Sequence, residues 1–192
     1  MKIQIENRCN STNKWILKEY SFAKSAKLLN FKWHEHFIPI AKIDLNKSKG
    51  CGYDFNYVST SARKKDKATG WVYLITVDGK IIKIGGTKTE LKKRFASYSA
   101  GTRKNRDSGT CSTTNYIVSE CFRKILSQFK NANIVIYGRK IEVPKVSIPI
   151  LGRNKCLSNM KIDLYTEYET AYINEHAKQF GQNPALSFNK GE

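Results

Sequence analysis

Residues 71–86 read WVYLITVDGKIIKIGG. Two apolar runs, 71–77 and 80–84, flank an Asp78-Gly79 pair, which predicts an antiparallel hairpin. Lys83 interrupts the second run, and Gly85 and Gly86 close it. A two-residue loop sets Val77 opposite Lys80, Tyr73 opposite Ile84 and Lys83 opposite Leu74, with Tyr73 and Lys83 on opposite faces. A three-residue loop, Val77-Asp78-Gly79, sets Thr76 opposite Lys80 and Tyr73 opposite Lys83, with Gly79 left-handed. The three-residue loop is the expectation. It leaves Val72, Leu74, Ile82 and Ile84 as a core face and moves the lysine to the face of Tyr73, Ile75 and Ile81.

Downstream, Thr87 and Glu90 have the spacing of a T-x-x-E capping box. The helix they open, LKKRFASYSAG, places Leu91, Phe95 and Tyr98 on one side and ends at Gly101. Arg94 and Tyr98, four apart, share a face. A polar loop follows, 102–115, in which Asn115 or a neighbouring threonine would cap a helix over 116–129 bearing Val118, Phe122, Ile125 and Phe129. Residues 133–143 read as strand, turn, strand, and SIPILG as an edge segment. A last helix runs from near Asp163 to a stop at Gly181.

Upstream, Ile16, Tyr20, Ala23, Leu28 and Phe31 recur with helical spacing. FIPIAKIDL reads as a strand or edge segment, with Pro39 arguing against a central position, and 46–56 as a loop. The charged stretch SARKKDKATG, 61–70, is the most plausible seam. The expected organisation is an N-terminal arm, 1–69, with a helix, and a second domain, 70–192. The fold class expected is α/β, a small mixed or antiparallel sheet flanked by helices.

Thirty-four Lys and Arg against 16 Asp and Glu give a formal charge of +18. With 11% aromatic residues the chain is no disordered basic tail, and a folded protein this basic faces a polyanion, nucleic acid first. The plain alternative is a basic structural protein. No apolar stretch is long enough to cross a bilayer, and the MKIQIENRCN start carries no signal-peptide core, so an intracellular, cytoplasmic protein is expected. Five widely spaced cysteines without a CxxC pair, and three histidines, argue against a zinc site or disulfide scaffold. His34 and His36 around Glu35 are read as a feature of the arm.

Lys83 and Arg94 together can receive a phosphate oxygen, the arginine as a planar fork and the lysine as a point charge. Arg63, Lys64 and Lys65 in the seam, and Arg103, Lys104 and Arg106 in the polar loop, can track a phosphate backbone. Ser112, Thr113, Thr114 and Asn115 can read base edges or contact phosphate.

Taken as an ordered set, Trp71-Val72-Tyr73, Lys83-Ile84-Gly85, the Arg94-to-Tyr98 spacing, GTCSTTNY at 109–116, and Glu169 with Pro184 behind it resemble the GIY-YIG nuclease family. Within that family they resemble a branch of type II restriction endonucleases, over roughly residues 70–185. Trp71 and Val72 stand where the family name has Gly and Ile, and Lys83 replaces the first tyrosine of the second motif. The resemblance implies a homodimer that hydrolyses phosphodiesters of double-stranded DNA at a specific site. It implies one divalent metal ion, Mg²⁺ with Mn²⁺ as substitute, bound by Glu169. Tyr73 would be the general base or would position the water, and Lys83 would lower the pKa of Tyr73. Arg94 would clamp the scissile phosphate, and Tyr98 would bond the phosphate or water network. Glu167 and Glu120 are the rival carboxylates. The alternatives are a monomeric homing or repair-type nuclease of the same family, and a DNA-binding protein with a decayed nuclease site.

Overall fold

The computed structural model describes residues 1–9, 12, 14–67, 70–142, 147–150, 153–156 and 164–187. The chain begins with a hairpin of β1 (Lys2–Arg8) and β2 (Trp15–Ser21), paired from Lys2↔Ser21 to Arg8↔Trp15. The helix expected over 15–31 is therefore a strand followed by a short 3-10 turn at Leu28–Asn30. Its apolar spacing fits a helix, but a partner is at hand. Lys2-Ile3-Gln4-Ile5 alternates strictly and buries Ile3 and Ile5, and pairing along seven residues outweighs local periodicity.

After a second 3-10 turn, His34–His36, come β3 (Ile38–Leu45), β4 (Tyr53–Tyr57) and α1 (Thr60–Lys65). Then follow β5 (Trp71–Val77), β6 (Lys80–Thr87), α2 (Leu91–Ser99), α3 (Arg103–Asp107) and α4 (Thr113–Gln128). The remaining elements are β7 (Ile134–Lys140), a β8 (Ser147–Ile150) and β9 (Arg153–Cys156) hairpin, and α5 (Leu164–Phe180). The central sheet has the order β4-β3-β7-β5-β6 and is antiparallel at every pairing. Helices cover both faces, so the α/β class holds. Trp71, Tyr73 and Ile75 pack with Phe95, Tyr98 and Phe122 of α2 and α4 and with the first hairpin. Val72, Leu74 and Ile84 pack with Tyr172 of α5 and with Phe31 and Phe37. No helix among the described residues is long and apolar enough to cross a membrane.

Five local expectations change. The sheet runs across the seam expected at residues 61–70, because β3 and β4 belong to it, and the loop expected at 46–56 contains part of β4. Pro39 lies in an interior strand after all. It sits at a bulge opposite Tyr137, ahead of the stretch where β4 pairs from Ala41 onward, so its missing N–H costs no ladder bond on that side. Residues 134–140 form one central strand, with no turn at Gly138. A Cβ there would lie 3.0 to 3.1 Å from Ile40, Leu91 and Trp71, so any larger residue would make these neighbours shift by a few tenths of an ångström. The polar loop contains the short helix α3.

The deciding hairpin follows neither simple register. Asp78 (φ 50°) and Gly79 (φ 73°) form a two-residue turn with Val77 opposite Lys80, which corrects the three-residue loop. A bulge then shifts the pairing. Thr76 opposes Ile81, Ile75 opposes Lys83, and Tyr73 opposes Gly85 rather than Lys83. Ile82 is the extra residue, and it packs on the Tyr73 side while Ile81 and Ile84 pack on the other. The bulge thus returns Lys83 to the face of Tyr73 as a diagonal neighbour.

The seam residues also do structural work. Ser59 caps α1 through the Ala62 N–H, and Asp66, 1% exposed, caps α2 from a distance. Its carboxylate accepts from the N–H groups of Leu91 (2.6 Å) and Lys92 (2.9 Å) and from the Tyr57 hydroxyl (2.7 Å). The Thr87/Glu90 capping box does not form: Glu90 occupies the cap with no side-chain capping bond and pairs with Lys93 instead, and Thr87 bonds Thr89. Asp66→Ala is expected to cost about 2–4 kcal/mol in urea unfolding, the sum of a lost cap and orphaned buried donors. Asp66→Asn is expected to recover only part of that.

Candidate active site

The site is built on the edge strand β6. Its outer edge is covered near the turn by Ala26 and Leu28, which exchange backbone bonds with Ile81 and Gly79. Further along, the segment after α5 takes over: Leu186 donates to the Ile82 carbonyl, and Ser187 Oγ accepts from Ile84 N–H at 2.8 Å. Just beyond, at Gly86 and Thr87, a cleft of about 480 Å³ opens.

Two side chains reach this cleft from opposite faces of the sheet because β6 carries glycines there. A Cβ on Gly85 would lie 2.5 Å from the Tyr73 hydroxyl oxygen, and one on Gly86 would lie 2.6 Å from Glu169 Oε2. Tyr73 therefore crosses the strand on one side and Glu169 on the other. Glu169 shares a stripe of α5 with Tyr165, Tyr172 and His176, the last two buried, whereas Glu167 is exposed. Glu120 is paired with Arg123. Of the three carboxylates, Glu169 is the one lining the cleft.

Arg94 of α2 reaches both tyrosines. It donates from Nε to the Tyr73 hydroxyl (3.3 Å) and from Nη2 to the Tyr98 hydroxyl (3.1 Å), and the two hydroxyl oxygens are 2.5 Å apart. Tyr98 is fully buried behind Tyr73, with its hydroxyl committed to these partners. Burial raises the pKa of Tyr73, with Arg94 opposing, and raises that of Tyr98 well above the ordinary phenol range.

Lys83 is 5% exposed and donates to the Leu186 carbonyl at 3.0 Å. Burial lowers its pKa to about 8, against the opposing pull of Glu169. The expected action of Lys83 on the Tyr73 phenol is corrected here: the cation bonded to that hydroxyl is Arg94.

The chain is similar to a restriction endonuclease. The solved structure described as restriction endonuclease HPY188I in complex with product DNA matches with a TM-score of 0.58 and 26% identity, over 85% of this chain and 86% of that one. A mutant of bacteriophage T4 EndoII matches with a TM-score of 0.48 and 16% identity, over 78% of this chain and 92% of the other. No protein-family model and no curated protein matches the chain.

Of the expected site residues, the structure gathers Tyr73, Lys83, Arg94 and Glu169 around the cleft, with Tyr98 behind them. Ser112, Thr114 and Asn115 also line it; Thr113 belongs to the same turn but does not. Ser112 is also the cap of α4, accepting from Asn115 N–H at 3.1 Å, where Asn115 or a threonine was expected. Arg103, Lys104 and Arg106 lie on α3, and Arg103 is paired with Glu6 and stacked on Trp15. Arg63, Lys64 and Lys65 are exposed on α1, away from this cleft.

The sequence reading missed Lys88, Thr89, Ser97 and Tyr165, which also line the cleft. The signal was present in spacing. Ser97 follows Arg94 by three and Tyr165 precedes Glu169 by four, so each shares a helical face with a residue already singled out.

Among the described residues, no three His, Cys, Asp or Glu side chains converge. The donor set is one carboxylate at the mouth of an open cleft, with room made by Gly86. This fits a hard divalent ion that takes most of its shell from water and phosphate oxygens, and it does not fit zinc.

Proposed function

We propose that the chain is a site-specific endonuclease of the GIY-YIG, type II restriction kind, hydrolysing phosphodiesters of double-stranded DNA as a homodimer with one Mg²⁺ per site. The carrying observation is the convergence over Gly85 and Gly86 of Tyr73 with Arg94 from one face and Glu169 from the other. The charge of +18 and the likeness to a restriction endonuclease captured with product DNA support the same reading. A two-fold DNA site matches a two-fold dimer, each subunit holding one centre.

Glu169 would hold the metal ion, which supplies Lewis-acid polarisation of the phosphate and neutralises its charge. The permanently charged Arg94 lies where the scissile phosphate approaches Tyr73 and stabilises the negative charge that grows on it. With its pKa raised, the Tyr73 phenol is protonated in the resting site, which favours water positioning among its expected roles. Its oxygen can accept from the attacking water while Arg94 and Tyr98 hold the ring hydroxyl in place. The water oxygen then forms the new P–O bond as the bond to the leaving sugar oxygen breaks, and the proton that the water sheds is returned to that sugar oxygen through solvent in the open cleft.

The test is cleavage of unmethylated phage DNA in Mg²⁺, in Mn²⁺ and in EDTA. Discrete fragments that require metal, with one sequence at their ends, are the expected result. Binding without cutting across several DNAs and metals would instead establish a decayed nuclease.

A further inference from the structure

A second cleft, of about 500 Å³, opens at the same end of the sheet and is lined by Lys64 and Lys65 of α1, Arg139 and Lys140 of β7, His36 and Trp71. It adjoins the first. Trp71 pairs with Thr87, which lines the first cleft, on one side, and with Lys140 on the other. β6 and β7 lie two strand spacings apart, on the order of 10 Å.

Arg139 organises this cleft. Its guanidinium stacks over Tyr168 (5.1 Å) and Tyr172 (5.6 Å) and bonds His36 Nδ1 (2.7 Å) and the Tyr172 hydroxyl. With Nδ1 of His36 accepting from a guanidinium, the ring is neutral and its Nε2 carries the proton as a donor. Lys140 is paired with Glu142 at 3.6 Å on the exposed rim. The lining thus offers one charged fork, three ammonium groups and a neutral imidazole N–H, with no carboxylate among the described lining residues. That set recognises an anion. Lys64, Lys65 and Lys140 are exposed and come from two different elements, α1 and β7, which suits a polyanionic backbone running past the cleft.

We infer that this cleft holds a backbone phosphate of the same DNA whose scissile phosphate occupies the first cleft, a few nucleotides away along the duplex. The inference rests on the nuclease reading above, and it gives the α1 lysines a task that their distance from the first cleft otherwise leaves open.

The test compares the Lys64→Gln/Lys65→Gln variant with Lys47→Gln/Lys130→Gln, a charge-matched control on exposed loops at the opposite end of the sheet. Binding to a duplex long enough to span both clefts is read by fluorescence anisotropy in EDTA across a salt series. The first variant is expected to bind several-fold more weakly, with its log K against log salt slope reduced by about 0.9 for each phosphate it no longer neutralises, and the control to match wild type. Arg139→Lys, which keeps the charge but not the fork, is expected to weaken binding with little change in slope.

In a second arm, the His36 imidazole resonance is expected to move on adding duplex and not on adding inorganic phosphate. Equal binding by the two double variants overturns the inference and leaves the nuclease reading standing. A His36 shift with inorganic phosphate alone overturns it in favour of a free-anion site. Absence of duplex binding by wild type overturns both readings.

Discussion

Glu169→Ala is expected to lower DNA cleavage by about a thousandfold or more while leaving duplex binding intact or slightly tighter. The asymmetry follows from what surrounds the carboxylate. Among the described residues it is the one acidic group lining a cleft whose other charged groups are Lys83, Lys88 and Arg94. Removing it takes away the carboxylate that can hold a divalent ion there, and it also takes away a negative charge that repels phosphate. Binding in EDTA therefore holds or improves as turnover is lost.

Glu169 is partly exposed, so the fold should survive; a thermal midpoint near that of wild type checks this. Glu167→Ala is the matched control, since Glu167 is exposed on the same helix and faces elsewhere, and its activity is expected to be unchanged. If Glu169→Ala cuts as fast as wild type, the metal is held by other groups and the site assignment fails.

How much of this site the sequence revealed depends on the kind of signal involved. Arg94 and Tyr98 were legible because four residues on a helix is a rigid ruler, whereas Glu169 stood out from Glu167 and Glu120 only through the family resemblance. The pairing of Tyr73 with Lys83 was not, because strand register is a property of two segments and one extra residue changes it. The bulge at Ile82 brings Lys83 to the expected face through a register that neither loop length predicts. Asp66 shows the same limit. A cap supplied across 25 residues of chain leaves no local pattern, whereas the local Thr87/Glu90 pattern was present and went unused.

The first strand pair was misread for a related reason. The 15–21 segment has helical spacing in isolation, and only the partner at 2–8 makes it a strand. The paired glycines were visible from the start. Their purpose, clearance for Tyr73 on one face and Glu169 on the other, needed the helix packed on each side.

Lys83→Met is expected to stabilise the folded protein at pH 7 and, by removing one of the cations at the cleft that can receive a phosphate oxygen, to impair cleavage by about a hundredfold or more. Lys83 is buried, and its pKa falls from 10.5 to about 8. A folded-state pKa below the unfolded value means that the folded chain binds fewer protons between those two limits. Stability then rises as pH increases from about 8 toward 10.5, and below about 8 the full penalty of burying the ammonium is present. That penalty is of the order of 3 kcal/mol, at about 1.36 kcal/mol for each pH unit separating the two pKa values.

Methionine is close in length and carries no charge, so the variant escapes the penalty but loses the bond to the Leu186 carbonyl, worth about 1 kcal/mol. A net gain of about 1–2 kcal/mol at pH 7 is expected on these magnitudes. The gain should shrink as pH approaches 10, where the wild-type lysine is itself largely neutral. Urea titrations of both proteins at pH 7 and pH 9.5, beside cleavage rates at pH 7, read all three quantities.

A variant less stable than wild type at both pH values would make Lys83 an ordinary structural lysine. Stability gained where activity is lost, with the gain fading toward high pH, would mean that the chain keeps a charged group inside its sheet at a cost to the fold, for the chemistry at the edge strand.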